Sequence, residues 1–226
     1  HLGMGEEVYE FEQKIKHYLR TDMDVVCVNT GTSALHLALS ALNIESGDEV
    51  LVPSLTYIAS FQAISATGAK PVSCEVSPET LFIDANDARK KVTNKTKVIM
   101  PVHYASSSKG MSRVYQLAEE FGLRVVEDAA QAFGSQRDGE VIGITGDIIC
   151  FSFDGIKNIT SGEGGAILSK DKVFIQKVQD GRLLGVVKDT EERFKKQRSW
   201  NFDVTYQGFR YHMSNIMAAI GIVQID

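Results

Sequence analysis

The stretch CFSFDGIKNITSGEGGAIL (Cys150–Leu168) places one lysine, Lys157, between a short apolar run and a cluster of glycines. The run CFSF is typical of a buried strand, and glycine-rich GEGG is typical of a turn that precedes a second strand. The pattern therefore predicts a strand, a loop carrying Lys157, and another strand. Whether these two strands belong to an α/β sheet depends on the pattern of apolar runs in the rest of the chain.

Short apolar runs recur along the whole chain, and longer segments with helical spacing separate most of them. Such alternation favours right-handed crossovers and a parallel sheet. We therefore predict an α/β fold with a mostly parallel, seven-stranded sheet flanked by helices. The predicted strands are VVCV (25–28), EVLVP (49–53), KPVSCEV (70–76), KVIMPV (97–102), RVVED (124–128), DIICFSF (147–153) and GGAILS (164–169).

Both ends of the chain have helical patterns. Residues 6–19 place apolar side chains at helical spacing, so we expect an N-terminal helical segment over 1–20 and one large domain over 21–226. The last segment, MSNIMAAIGIVQID, carries a predicted apolar face and stops without a cap. We therefore expect the chain to be part of a longer protein. The predicted face consists of Met213, Ile216, Met217, Ile220 and Val223.

Composition narrows the possible functions. The 226 residues are 43% hydrophobic and 23% charged, which is ordinary for a soluble globular protein, and the formal net charge is −5. A nucleic-acid partner is not expected without a basic excess, nor is a membrane span or a secretion signal, so we expect a cytoplasmic protein. Cys27, Cys74 and Cys150 lie in apolar segments and are expected to be reduced core residues that bind no metal.

A candidate phosphate site lies in NTGTSALHLALSAL (29–42), which follows a predicted strand and opens a helix. The first turn of a helix offers free backbone N–H groups, and Thr32 and Ser33 add hydroxyls. The structural alternative is that Thr32 or Ser33 caps the helix while Gly31 makes the turn. The pattern is neither a Walker loop nor GxGxxG.

Two further groups are predicted at the carboxyl edge of the sheet, where α/β proteins bind ligands. Asp128 ends the run VVED, where it could cap the next turn or pair with a cationic ring nitrogen. Lys157 could be an ordinary surface lysine or a nucleophile desolvated by Phe151, Phe153 and Ile156. A phosphate site, a buried acid and a lysine together are what pyridoxal 5'-phosphate (PLP) requires.

These segments also resemble a family, the DegT/DnrJ/EryC1/StrS nucleotide-sugar aminotransferases. The resemblance runs from about Gly3 to Asp226, and several motifs in the same order make it specific. It implies the large domain of the type I PLP-dependent aminotransferase fold, an active homodimer, and a small C-terminal domain absent from this chain. The matching motifs are GTSALHLAL, DEVLVPSLTYIAS, GAKPVSCEV, VHYASSSKGM, VVEDAAQAFGS, GDIICFSFDGIKNITSGEGGAI and FRYHMSNIMAAIG.

The resemblance also assigns roles to residues. It implies that Lys157 binds the cofactor covalently and that Asp128 holds the pyridinium nitrogen. Gln131 would bind the ring hydroxyl, and Tyr57 would stack on the ring, although a core tyrosine is the alternative. Phosphate would be bound by Thr32, Ser33 and Ser152.

One motif departs from the family. An asparagine that reaches the partner subunit's phosphate is commonly found where this chain has Arg210, within Arg210-Tyr211-His212. Arg210 would replace that contact with a charged one. His103 also lies at a familiar position, where a hydrogen-bonded strand-end residue is the alternative to a catalytic one.

The implied reaction moves an amino group from glutamate to a nucleotide-linked ketosugar, in amino-sugar biosynthesis for a surface polysaccharide or a secondary metabolite. Lys157 argues against the related dehydratases, which have histidine there. A non-catalytic or regulatory relative is the alternative. The Arg210 departure and the missing C-terminal domain favour it, whereas the intact lysine, aspartate and glutamine count against it. A Rossmann-type oxidoreductase lacks its glycine fingerprint.

Overall fold

The computed structural model describes residues 2–137, 139–197 and 202–226 and contains a seven-stranded sheet. The strand order is β1-β9-β8-β5-β4-β2-β3, and only β9 runs antiparallel to its neighbours. The predicted α/β fold is thus confirmed. The strands are β1 (Asp24–Val28), β2 (Glu49–Pro53), β3 (Lys70–Cys74), β4 (Thr96–Ile99), β5 (Arg124–Asp128), β8 (Ile148–Ser152) and β9 (Gly165–Ser169), with a separate hairpin of β6 (Gln136–Arg137) and β7 (Glu140–Val141).

Helices cover both faces of the sheet. Alternate residues of β1 show this, because Val26 packs in a core with α2 (Gly31–Ala41) whereas Cys27 packs in a second core with α1 (Glu6–Leu19). All three cysteines are buried and free, as predicted. The helices are α1 (Glu6–Leu19), α2 (Gly31–Ala41), α3 (Ile58–Ser65), α4 (Ala85–Lys91), α5 (Met111–Phe121), α6 (Lys172–Gly181), α7 (Asp189–Phe194) and α8 (Asn215–Ile225).

Within the described parts of the chain, no helix is both long and apolar enough to cross a membrane. Helix α1 has the predicted bounds. Its acidic first turn complements the helix dipole, and Val8, Phe11 and Ile15 are buried on one face.

The C-terminal helix α8 forms, and its predicted apolar face is buried only in part. Met213 is buried and Met217 packs against the core with α1, whereas Ile216, Ile220 and Val223 are exposed. Ala218 and Gly221 are the small residues of α8 that are buried against α1. A Cβ on Gly221 would lie 2.4 Å from the ring of Phe11. Because Ala218 and Gly221 are small, the two helices approach closely. This close approach, and not the presence of large apolar side chains, determines which face of α8 is buried.

A buried ion pair joins α1 to the sheet. Arg182 is fully buried, and its Nη1 lies 2.6 Å from Glu12 Oε1 and 2.7 Å from the carbonyl oxygen of Cys27. Glu12 Oε1 also accepts a hydrogen bond from the Cys27 backbone N–H. Burial raises the pKa of Glu12, and the charge of Arg182 opposes that rise. The pair therefore fixes the end of β1, from which α2 begins.

Replacing one partner of this pair should destabilise the protein strongly. Arg182→Met leaves Glu12 buried without its cation, which should lower the free energy of unfolding by about 3–5 kcal/mol. Urea unfolding followed by circular dichroism measures the change. Arg89→Met breaks the exposed pair with Glu120 and should change the free energy of unfolding far less, because solvent screens that pair. Equal losses of stability in the two variants would contradict the conclusion that the buried pair of Arg182 and Glu12 stabilises the fold.

Candidate active site

The predicted site residues meet at one edge of the sheet. Strands β1, β2, β5 and β8 are mutually parallel, so their carboxyl ends lie together. Asp128 ends β5, Ser152 ends β8, and Lys157 lies on the loop that follows. The N-terminus of α2 comes just after β1 at the same edge. This is the edge where parallel α/β sheets bind ligands.

The first turn of α2 is capped by a residue that the sequence analysis did not assign. Thr30 is the cap, since its Oγ1 accepts a hydrogen bond from the Ser33 backbone N–H at 3.0 Å. Capping by Thr32 or Ser33 is therefore wrong. The buried Ser33 hydroxyl donates to Asn29 Oδ1, whereas Thr32 is exposed at the helix terminus. Thr32 is thus better placed than the Ser33 side chain to bind a ligand.

Two glycines bring this helix terminus against the sheet. A Cβ on Gly31 would lie 2.7 Å from Ser152 Cβ and 2.9 Å from Ser152 Oγ. A Cβ on Gly165 would lie 2.5 Å from the Thr30 carbonyl oxygen. Because neither glycine has a side chain, the Ser152 hydroxyl lies beside the first turn of α2. The two groups form a small cradle of N–H and O–H donors suited to an anion.

Asp128 is buried and both of its carboxylate oxygens accept hydrogen bonds. Oδ2 accepts from Ser60 Oγ at 2.7 Å, and Oδ1 accepts from the Ala130 backbone N–H at 3.2 Å. Burial raises the pKa of Asp128, while the Ser60 hydrogen bond, the Ala130 N–H and the nearby His103 and Lys157 lower it. The carboxylate therefore does cap the next turn, and it also lies within the electrostatic reach of Lys157.

Lys157 is half-buried, and its backbone N–H donates to the Asp154 carbonyl oxygen. Three side chains are predicted to form an apolar wall around it. Of these, Phe151 and Phe153 are fully buried in the core with α1, but Ile156 is 89% exposed. The expectation for Ile156 is wrong within this chain, because the loop turns that side chain away from the core.

Gln131 supports a neighbouring turn. Its Oε1 accepts a hydrogen bond from the Ala105 backbone N–H at 2.8 Å, and its carbonyl oxygen accepts one from Ser106 Oγ. Ala105 and Ser106 both have positive φ. Since Oε1 must face the Ala105 donor, the amide orientation is set and its NH₂ group faces elsewhere.

Tyr57 and Arg210 are both exposed. Tyr57, just before α3, is 73% exposed, so the alternative of a core tyrosine is wrong. Arg210 lies on a segment that runs beside the end of β1, where the Asn29 N–H donates to the Tyr211 carbonyl oxygen at 2.7 Å. This brings the segment to the start of α2.

His103 is fully buried in a hydrogen-bonded network. Its Nε2 lies 2.7 Å from Glu127 Oε2, and its Nδ1 lies 3.2 Å from the Ser107 carbonyl oxygen. Tyr115 donates to the other oxygen of Glu127, and Arg137 lies 3.4 Å from Oε2. These contacts favour the structural interpretation of His103.

Sequence reasoning missed Ser60 and Thr56, whose hydroxyls lie 2.7 Å apart. Ser60 comes three residues after Tyr57, so the same first turn of α3 carries both side chains. That spacing could have suggested Ser60, but only the tertiary packing shows its contact with Asp128.

Comparison with known proteins places these residues in context. A model of the DegT/DnrJ/EryC1/StrS aminotransferase family matches residues 1–226. The chain is 41% identical over 222 residues to a GDP-perosamine synthase of Escherichia coli O157:H7, covering 98% of this chain and 58% of the relative.

Solved structures are similar over nearly the whole chain. S. venezuelae DesV, in complex with a ketimine intermediate, has a TM-score of 0.89 at 34% identity, covering 100% of this chain and 57% of DesV. NtdA from Bacillus subtilis, with bound cofactor PMP, has a TM-score of 0.84 at 30% identity, covering 99% of this chain and 48% of NtdA. The chain thus spans about half the length of the proteins it matches.

Adding a methyl group at Gly31 should disrupt the cradle. Alanine is a better helix former by about 1 kcal/mol, but the contact with Ser152 should reverse that gain and lower the free energy of unfolding by about 1–3 kcal/mol. Thermal unfolding of Gly31→Ala measures the loss. The double variant Gly31→Ala/Ser152→Gly removes the colliding atoms and should regain stability. A stabilised single variant would contradict the close approach.

His212 should make the protein sensitive to acid. Burial, followed by the charge of Arg210, lowers the pKa of His212 to about 4, and within the described residues its Nδ1 has no hydrogen-bond partner. The unfolded chain takes up this proton near pH 6.5. Protons therefore favour the unfolded state, and the free energy of unfolding should fall as pH drops from about 6.5 towards 4.

Urea unfolding between pH 7 and 5 tests this dependence. His212→Gln should show a smaller loss of stability over that range than the unsubstituted protein, because glutamine does not titrate. Identical slopes for the two proteins would contradict the role of His212.

Proposed function

This chain belongs to the DegT/DnrJ/EryC1/StrS aminotransferase family, and we propose that it uses PLP to move an amino group from glutamate to the keto group of a nucleotide-linked sugar. The name of the Escherichia coli relative, GDP-perosamine synthase, supports a nucleotide-linked sugar substrate. The PMP bound to NtdA supports the cofactor. We place the reaction in amino-sugar biosynthesis in the cytoplasm.

The residues at the sheet edge suit this cofactor. The first turn of α2 with Thr32, together with the Ser152 hydroxyl, would bind its phosphate. Ser33 would contribute through its place in that turn, because its side chain is committed to Asn29. At the opposite end, Asp128 would bind the ring nitrogen. Gln131 would donate its NH₂ group to the ring hydroxyl, and exposed Tyr57 would stack on the ring.

The observation that carries this proposal is the contrast between two adjacent buried carboxylates. Glu127 has His103 and Arg137 within ion-pair distance. Asp128, by comparison, has no cationic side chain within 4 Å in the described residues. A buried carboxylate held by neutral donors is suited to receive a cation from a ligand. The charge of Lys157 also lowers the pKa of Asp128, which supports placing the acid and the lysine at one site.

The chemistry that PLP supplies when bound is an electron sink for the electrons released at the α-carbon of the substrate. Asp128 as a carboxylate would keep the ring nitrogen protonated, which makes that sink effective. Lys157 would bind the cofactor covalently at rest. Once displaced by glutamate, its free amine would move the proton from the α-carbon as a general base and acid.

We also propose that a second copy of the chain completes the site. Large apolar side chains are exposed at this edge, namely Tyr57, Ile58 and Ile156, where a single chain leaves them in water. Exposed apolar groups beside a polar site favour a covering partner surface. Arg210 is exposed on the segment beside β1 and would be available to a phosphate bound in the partner subunit.

The absorption spectrum tests the cofactor, the lysine and the donor together. Purified protein mixed with PLP should give a visible band that disappears in Lys157→Ala, because the lysine amine is required to bind the cofactor covalently. Borohydride reduction should fix the cofactor to Lys157, as read by peptide mass spectrometry. Adding glutamate to unreduced protein should bleach the band.

Lys170→Ala is the matched control, because Lys170 follows β9 at the opposite edge of the sheet, and its spectrum should be that of the unsubstituted protein. A folded dimer of the complete chain without any Lys157-dependent band would refute the aminotransferase and favour the non-catalytic relative. A band that persists with glutamate would refute glutamate as the donor.

A further inference from the structure

A chain of two hydroxyls leads from the start of α3 to Asp128. Ser60 is fully buried, and its Oγ lies 2.7 Å from Asp128 Oδ2. Thr56 Oγ1 lies 2.7 Å from Ser60 Oγ on the other side. The three groups therefore form a continuous line from a loop after β2 to the end of β5.

The direction of the hydrogen bonds follows from the chemistry of the groups. The Ala130 backbone N–H can only donate, so Asp128 Oδ1 is an acceptor. An ionised carboxylate accepts at both oxygens, so the Ser60 proton must point to Oδ2. Thr56 must then donate its own proton to Ser60 Oγ. The Thr56 hydroxyl thus donates to Ser60, the Ser60 hydroxyl donates to Asp128, and both carboxylate oxygens of Asp128 accept a hydrogen bond.

We infer that Ser60 is a positioning residue, supported by Thr56, that keeps Asp128 ionised and fixes the rotation of its carboxylate. This inference rests on the proposed function, in which Asp128 binds a cationic ring nitrogen. A charge-assisted hydrogen bond is stronger than a neutral one and is directional, so a single buried hydroxyl can serve both purposes.

The other groups around Asp128 cannot replace Ser60. Of the influences that oppose the burial-induced rise in the pKa of Asp128, the Ser60 hydrogen bond is the largest, ahead of the Ala130 N–H, His103 and Lys157. Cys150 lies opposite Asp128 on β8. Burial raises the pKa of the Cys150 thiol well above its ordinary value, so that group is neutral.

Glu127, on the same strand, is also an acid and cannot donate a stabilising positive charge to Asp128. Its own carboxylate is hydrogen-bonded to His103 and Tyr115. His103 contacts Asp128 through the backbone, where its N–H donates to the Asp128 carbonyl oxygen at 2.9 Å. Its ring is committed to Glu127 and the Ser107 carbonyl. Ser60 is thus the side chain that directly holds the carboxylate.

The first experiment measures the titration of Asp128 without the cofactor. In cofactor-free protein with ¹³C-labelled aspartate, the carboxyl resonance assigned by Asp128→Asn should titrate at higher pH in Ser60→Ala than in the unsubstituted protein, by about one pH unit. Ser60→Thr keeps the hydroxyl and should restore the original midpoint. Thr56→Val should give a smaller shift in the same direction, because it removes only the second donor.

The second experiment measures the dissociation constant of PLP against pH, using the Lys157-dependent band. For Ser60→Ala the acidic limb should move to higher pH, so that binding within that limb weakens about tenfold. Ser65→Ala is the matched control, since Ser65 lies on the same helix and its hydroxyl donates to the carbonyl oxygens of Phe61 and Gln62. It should change neither midpoint.

The two experiments separate the possible failures. An unchanged Asp128 midpoint in both Ser60→Ala and Thr56→Val would overturn the inference, even if the protein binds PLP normally. A shifted midpoint without a Lys157-dependent band in any variant would support the hydroxyl chain and refute the proposed function. A PLP affinity that falls equally at every pH would also overturn the inference, because loss of packing alone would explain it.

Discussion

A carboxylate at the buried end of a strand must be surrounded by hydrogen-bond donors, or it takes up a proton and loses its charge. Asp128 meets this requirement with a backbone N–H from its own turn and the hydroxyl of Ser60 from α3. The second donor ties α3 to β5 across the sheet. Tyr57, the residue just before α3, lies three positions before Ser60 and is exposed. The helix that supplies a donor to the acid therefore begins beside the ring-stacking candidate.

Three buried acids, Glu12, Glu127 and Asp128, are stabilised in different ways. Glu12 has a fully buried arginine, and it joins α1 to β1. Glu127 hydrogen-bonds His103 and Tyr115, joining β5 to α5 and to the segment that follows β4. Both networks are closed within the chain, and removing one partner would leave an unpaired buried charge. Asp128 is stabilised by neutral donors, which leave its negative charge unbalanced. That difference separates an acid that supports the fold from one suited to binding a cationic ligand.

Much of the fold could be predicted from the sequence, because apolar runs and helical spacing are local signals. The bounds of β2 and α1 match their patterns, and the carboxyl-edge placement of Asp128 and Lys157 follows from parallel strands. Tertiary contacts could not be predicted from such local signals. The buried face of α8 depends on how closely Gly221 approaches Phe11, and Ser60 gains its importance from a residue 68 positions away. Neither distance is encoded in a local pattern.

The candidate site consists of buried groups held by hydrogen bonds and of more exposed groups at its surface. Asp128, Ser60 and Ser152 are buried at the ends of strands or in packed helices, where hydrogen bonds fix their positions. Lys157, by contrast, lies on a loop, and Tyr57 is largely exposed. Groups that only bind and polarise a ligand benefit from being fixed, because their donors need no reorganisation. A lysine that must be displaced and then carry a proton needs freedom to move. In the proposed reaction, an acid on a strand and a lysine on a loop would meet both requirements at one edge of the sheet.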